Sequence, residues 1–132
     1  MARILTKPLI MTLAKWNYTK EEWKIFRKWK TKRKGYLPYL LSFLGFPMDR
    51  KVPEITISDN RVWFDNMHEP FQNSSRRFMD ITIREWDKLN ILEISYQQQN
   101  KMKGINVLIP KGKLKEAFEV QDRLIVDSES IG

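Results

Sequence analysis

Two periodicities divide the chain. Early on, apolar residues recur at helical spacing, with Trp23, Phe26 and Trp29 on one side and Ile25 nearby. From Glu54 they alternate with polar residues at every second position. The helix is predicted to begin at Thr19-Lys20-Glu21-Glu22, a capping box in which the Thr19 hydroxyl accepts from the Glu22 amide while the Glu22 carboxylate reaches back to the cap. Acidic residues open this helix, basic ones close it up to Lys34, and Gly35 follows as its C-cap. Residues 36–48 hold nine large apolar or aromatic side chains among thirteen positions and read as a short second helix from about Pro38, since proline suits a first turn.

Strand patterns occupy the rest. Glu54-Ile55-Thr56-Ile57-Ser58 and Arg61-Val62-Trp63-Phe64-Asp65 flank the turn pair Asp59-Asn60, which predicts a hairpin. A short strand is expected around Phe71, followed by a loop at 72–75. Alternation over 77–85 puts Met79, Ile81 and Ile83 on one face and Asp80, Thr82 and Arg84 on the other. After a turn at 86–90, a strand at 91–96 places Leu92, Ile94 and Tyr96 on a common side and leaves Glu93 facing out, within reach of Arg84. Residues 97–104 read as a polar hairpin tip. The last strand is 105–109, stopped by Pro110. From Lys113, Leu114, Ala117, Phe118, Gln121, Leu124 and Ile125 recur at helical spacing, so this stripe is expected against the sheet, with a frayed tail at 127–132. The expected class is α+β: N-terminal helices, five or six antiparallel strands and a C-terminal helix.

Composition narrows the function classes. A chain of 132 residues with 42% hydrophobic and 30% charged residues suits one domain with a real core. No cysteine is present, which removes thiolate catalysis, disulfides and cysteine zinc sites. The apolar run at 8–14 is too short for a secretory signal, so 1–15 is expected to be an N-terminal extension; no apolar run is long enough to span a membrane. His68, the single histidine, sits in a turn near Asp65 and Glu69 but has no evident pocket or further ligands. Neither a nucleophile elbow nor a phosphate loop appears, and Lys111-Gly112-Lys113 is a strand-to-helix turn. The reading is therefore of a non-enzyme without cofactor or metal.

The net charge of +8 is unevenly placed. Residues 20–34 carry eight basic side chains against two acidic ones, a local +6, which argues for an anionic partner. Lys24, Arg27, Lys28, Lys30, Lys32, Arg33 and Lys34 are the candidate anion-binding residues, and Tyr36, Tyr39, Phe43 and Phe46 the candidate interfacial ones. Basic charge beside aromatic rings suits an anionic lipid surface. The plainer reading packs Trp23, Phe26, Trp29, Leu37, Leu40, Leu41 and Leu44 on the sheet and leaves the lysines as a solvated face. A protein partner or homo-oligomer, through 36–48 or an open strand edge, is the second reading; non-specific nucleic-acid binding is the third.

The segments Trp16-Asn17-Tyr18-Thr19-Lys20-Glu21-Glu22-Trp23, Pro53-Glu54-Ile55-Thr56-Ile57, Asn90-Ile91-Leu92-Glu93-Ile94-Ser95-Tyr96 and, above all, Ile109-Pro110-Lys111-Gly112-Lys113-Leu114-Lys115-Glu116-Ala117 resemble bacterial pleckstrin-homology-like proteins of unknown function. The resemblance implies a single domain over 16–126, with a bent antiparallel sheet or partial barrel of five to seven strands and a C-terminal helix plugging one end. The combined reading is a non-enzymatic binding or scaffold module in a bacterial cytoplasm, with peripheral membrane attachment expected from the basic helix and the aromatic stretch beside it. Relatives of that fold often bind phosphoinositides through basic residues of the first hairpin, but here the matching turn, Ser58-Asp59-Asn60-Arg61, offers one Arg beside an Asp, and the site is not carried over.

Overall fold

Residues 12–34 and 52–131 are described by the computed structural model of the chain. They form β1 (Thr12–Trp16), α1 (Lys20–Lys34), β2 (Ile55–Ser58), β3 (Arg61–Phe64), β4 (Met67–Pro70), β5 (Arg76–Trp86), β6 (Leu89–Gln98), β7 (Lys101–Leu108) and α2 (Leu114–Ile131). The strands make two antiparallel sheets, β1-β2-β3-β4 and β5-β6-β7, that do not close into a barrel. The fold is thus α+β, with seven strands among the described residues. The short helix expected within 36–48 and the Gly35 cap lie outside them.

Alternation places the core. Trp16, Ile55, Ile57, Val62, Ile81, Leu92, Ile94, Ile105 and Val107 point inward, and Ala117, Val120 and Leu124 of α2 close over them. The opposite face of the second sheet is covered at one end by α1, whose Phe26 and Trp29 meet the cross-strand pair Ile91 and Leu108. Strand β6 is therefore buried on both faces there, which explains the consecutive apolar pair Ile91-Leu92.

Several boundaries move. The extension expected at 1–15 overlaps β1, where Ala14 and Trp16 are buried and pair with Ile57 and Ile55. One small and one large apolar residue give too little alternation to announce a strand, and the ladder to β2 supplies the rest. Strand β4 precedes Phe71, which is buried just past its end; Met67-His68-Glu69-Pro70 has no apolar alternation and ends in a proline, as an edge strand tolerates. The polar hairpin tip shrinks from 97–104 to Gln99-Asn100, because β6 and β7 pair on to Gln98 and Lys101 beyond the core. The expected frayed tail is helical to Ile131. On α2 the buried stripe is Ala117, Val120 and Leu124; Phe118 and Leu114, expected inward, are exposed.

A β-bulge corrects the face of β5. Phe78 pairs with Tyr96 and Asp80 with Ser95, so Met79 is an extra residue that has no partner in β6. The phase changes there: Ile81 and Ile83 face inward as expected, while Met79 is 43% exposed and Phe78 takes its place against the core.

Candidate functional site

Two distant stretches of the chain meet at one corner. The Trp16 indole N–H donates to Glu116 Oε1 at 2.9 Å, the Tyr18 hydroxyl donates to the Leu108 carbonyl at 2.7 Å, and the Lys111 amide donates to Glu22 Oε2 at 2.8 Å. Glu22 is also the far half of the capping box: its Oε1 accepts from the Thr19 amide at 2.9 Å and its own amide donates to Thr19 Oγ1 at 3.0 Å. Pro110 ends the strand, and Gly112, at φ 87°, turns the chain with a 3.0 Å bond from the Lys113 amide to the Pro110 carbonyl. Turning Lys111 there aims its N–H at Glu22. Burial pushes the Tyr18 hydroxyl well above the ordinary tyrosine range, and the Glu22 carboxylate adds to it. Burial also pushes Glu22 up, but its hydrogen bonds from Thr19 and Lys111 and the Lys111 charge outweigh it and hold the carboxyl below its usual value. These groups hold the fold together and leave nothing aimed at a substrate.

Helix α1 divides its surface. Tyr18, Trp23, Phe26, Trp29 and Trp86 form a continuous ladder of rings, with centroids 5.4, 5.2, 5.7 and 6.2 Å apart in turn. The tryptophans of the helix are thereby used in packing. Of the sequence-predicted cations, Lys24 and Lys28 are exposed, whereas Arg27 and Lys30 are half-buried, with Lys30 Nζ 5.7 Å from the Phe26 ring centre. Lys32, Arg33 and Lys34 lie on the last turn of α1, their side chains beyond those described; Tyr36, Tyr39, Phe43 and Phe46 fall outside the described residues. The sequence reading missed Ile25 and Lys20. Ile25 is 50% exposed between Lys24 and Lys28, and Lys20 is exposed one turn earlier. An apolar residue off the core stripe, flanked by lysines, was the available signal.

A second feature is an open cleft of about 230 Å³ at the edge of β7, lined by Lys30, Phe64, Glu69, Tyr96 and residues 104–106. Its carboxylate is already engaged: Glu69 Oε2 accepts from Arg76 at 2.5 Å and from the Tyr96 hydroxyl at 3.3 Å, and the Arg76 guanidinium lies 4.9 Å from the Tyr96 ring centre. Burial raises the Tyr96 hydroxyl; Arg76 opposes this and Glu69 reinforces it. The carboxylates considered for His68 are both occupied, Glu69 in this way and Asp65 by the Glu54 amide at 3.0 Å. His68 instead packs against Trp63, the ring centroids 4.7 Å apart and the planes tilted by 43°, with Arg61 at 3.4 Å from its Nδ1. Among the described residues no group of three or more His, Asp or Glu side chains is placed to hold a metal ion. The outward pair expected between Arg84 and Glu93 is present at 3.8 Å.

Comparison of the chain with protein-family models, with curated proteins and with solved structures gives no match. Among the described residues no helix is long and apolar enough to cross a membrane.

Proposed function

We propose that the chain is a non-enzymatic binding module of pleckstrin-homology-like architecture that attaches peripherally to an anionic membrane surface through the outer face of α1. The architectural part is supported by the order of four strands, three strands and a C-terminal helix. The functional part is carried by one observation: Phe26 and Trp29 turn to the sheet, and Lys24, Ile25 and Lys28 stand together in solvent. Lysines attract anionic headgroups, and an isolated apolar side chain among them enters the interface. Each contributes about 1 kcal/mol near an anionic leaflet, so Lys20, Lys24 and Lys28 alone give a weak, salt-sensitive association.

Vesicle sedimentation tests this. The protein is expected to pellet with phosphatidylserine-containing vesicles and not with neutral ones, and to lose that binding in the double variant Lys24→Glu, Lys28→Glu. Replacing Ile25 by Ser is expected to weaken binding without altering its salt dependence. Equal pelleting with both kinds of vesicle, or an unaffected double variant, overturns the proposal.

A further inference from the structure

The two edges of the β5-β6-β7 sheet are finished differently. In an antiparallel ladder, residues of a hydrogen-bonded pair direct both main-chain groups at each other, and the residues between them direct theirs away. The Ile109 amide donates to the Asn90 carbonyl at 2.9 Å, and the register continues as Ile91 with Leu108 and Leu92 with Val107. Val107, Ile105 and Lys103 therefore face β6, whereas Leu108, Asn106, Gly104 and Met102 turn their N–H and C=O groups to the free side. The Tyr18 hydroxyl meets the Leu108 carbonyl there, as this phase requires.

On the far edge, the same phase turns Arg76, Phe78, Ile81, Ile83 and Glu85 of β5 outward, and side chains close the first three. The Arg76 amide donates to Asn73 Oδ1 at 2.8 Å, that of Phe78 to Gln72 Oε1 at 2.9 Å, and that of Ile81 to Asp80 Oδ1 at 2.8 Å. The Ile81 carbonyl accepts from the Gln121 amide group at 2.9 Å. Bare edges recruit strands, and this one is blocked from Arg76 to Ile81. Along β7, among the described residues, the Leu108 carbonyl is closed and no hydrogen bond reaches the outward groups of Met102, Gly104 and Asn106.

We propose that the free edge of β7 at residues 102–106 binds an extended acidic peptide as an added strand. Main-chain pairing supplies the affinity, and side chains of the incoming strand enter the cleft beside Phe64 and Ile105. Charge selects the occupant. Lys101 and Lys103 are exposed on β7, Lys30 lines the cleft, and β7 carries no carboxylate. The nearby carboxylates are already paired, Glu69 with Arg76 and Glu93 with Arg84. A second copy of β7 would bring its own lysines to the same edge, which disfavours self-pairing.

The full chain, labelled with nitrogen-15, is titrated with a capped peptide of about eight residues alternating Val and Glu. Its Val/Lys counterpart and an analogue N-methylated at every second amide serve as comparisons. The acidic peptide is expected to shift the amide signals of Met102, Gly104 and Asn106, to bind on the order of tenfold more tightly than the lysine peptide, and to lose binding on N-methylation. The variant Lys101→Glu, Lys103→Glu alters only exposed side chains and is expected to reverse the charge preference. Signals that shift along β5 instead, equal affinity for both peptides, no shift at millimolar peptide, or dimerisation in place of peptide binding each overturns the proposal.

Discussion

At the scale of single residues, hydrogen-bond geometry and backbone sign decide most. The β5–β6 hairpin turns through Asp87 and Lys88 at φ 47° and 71°, the arrangement of a type I′ turn, for which Gly or Asn is the usual second residue. Replacing Lys88 by Gly is expected to raise stability by about 0.4–1 kcal/mol in urea titrations, because no Cβ then opposes the left-handed backbone. Glu22 gives a pH-dependent case. Its carboxyl is held below the ordinary value, so its ionised form is favoured in the folded chain. That stabilisation is present above the unfolded carboxylate pKa of about 4.3 and is lost as pH falls through the lower folded value. The Glu22→Gln variant is expected to melt at a lower temperature at neutral pH, by an amount corresponding to about 1 kcal/mol. The gap should narrow in acid, where both chains carry a neutral side chain. A gap that stays constant down to pH 3 would contradict this account. The capping half of this arrangement was legible in Thr19-Lys20-Glu21-Glu22; the bond to Lys111, 89 residues away, was not.

At the scale of elements, alternation is reliable until a bulge changes its phase. Sequence pattern groups Met79 with Ile81 and Ile83, yet one unpaired residue turns Met79 to solvent. Met79→Lys is accordingly expected to change stability by less than about 0.5 kcal/mol, whereas Ile81→Ala should cost about 2–5 kcal/mol, measured by chemical denaturation. Comparable losses in the two would place Met79 back in the core. The bulge was not legible because nothing local marks it: its inward neighbour, Phe78, is as apolar as the methionine it displaces. Strand ends hide for the opposite reason. Residues 97–98 and 101–104 pair beyond the core, where no burial selects apolar side chains, so their sequence reads as a loop.

At the scale of the molecule, β1 and α1 are tied to the β7–α2 corner through Trp16–Glu116, Tyr18–Leu108 and Glu22–Lys111, while Phe26 and Trp29 pack beneath. The N-terminal elements should therefore unfold with the sheets, so far-ultraviolet circular dichroism and tryptophan fluorescence should trace one coincident transition. Separate transitions would mean that α1 detaches on its own. Local pattern was enough for the α+β class, the α1 cap, the β2–β3 hairpin, the inward side of β6 and the strand-to-helix turn at 109–113. Each of these rests on interactions between residues a few positions apart or on a strict period. Long-range contacts alone settle that α1 packs its aromatic side on the outer face of the second sheet, leaving Lys24, Ile25 and Lys28 exposed, and that side chains close one edge of that sheet from Arg76 to Ile81 while, among the described residues, the other is open at 102–106. Those features depend on which distant groups meet, and a linear pattern records a residue's polarity without recording its partner.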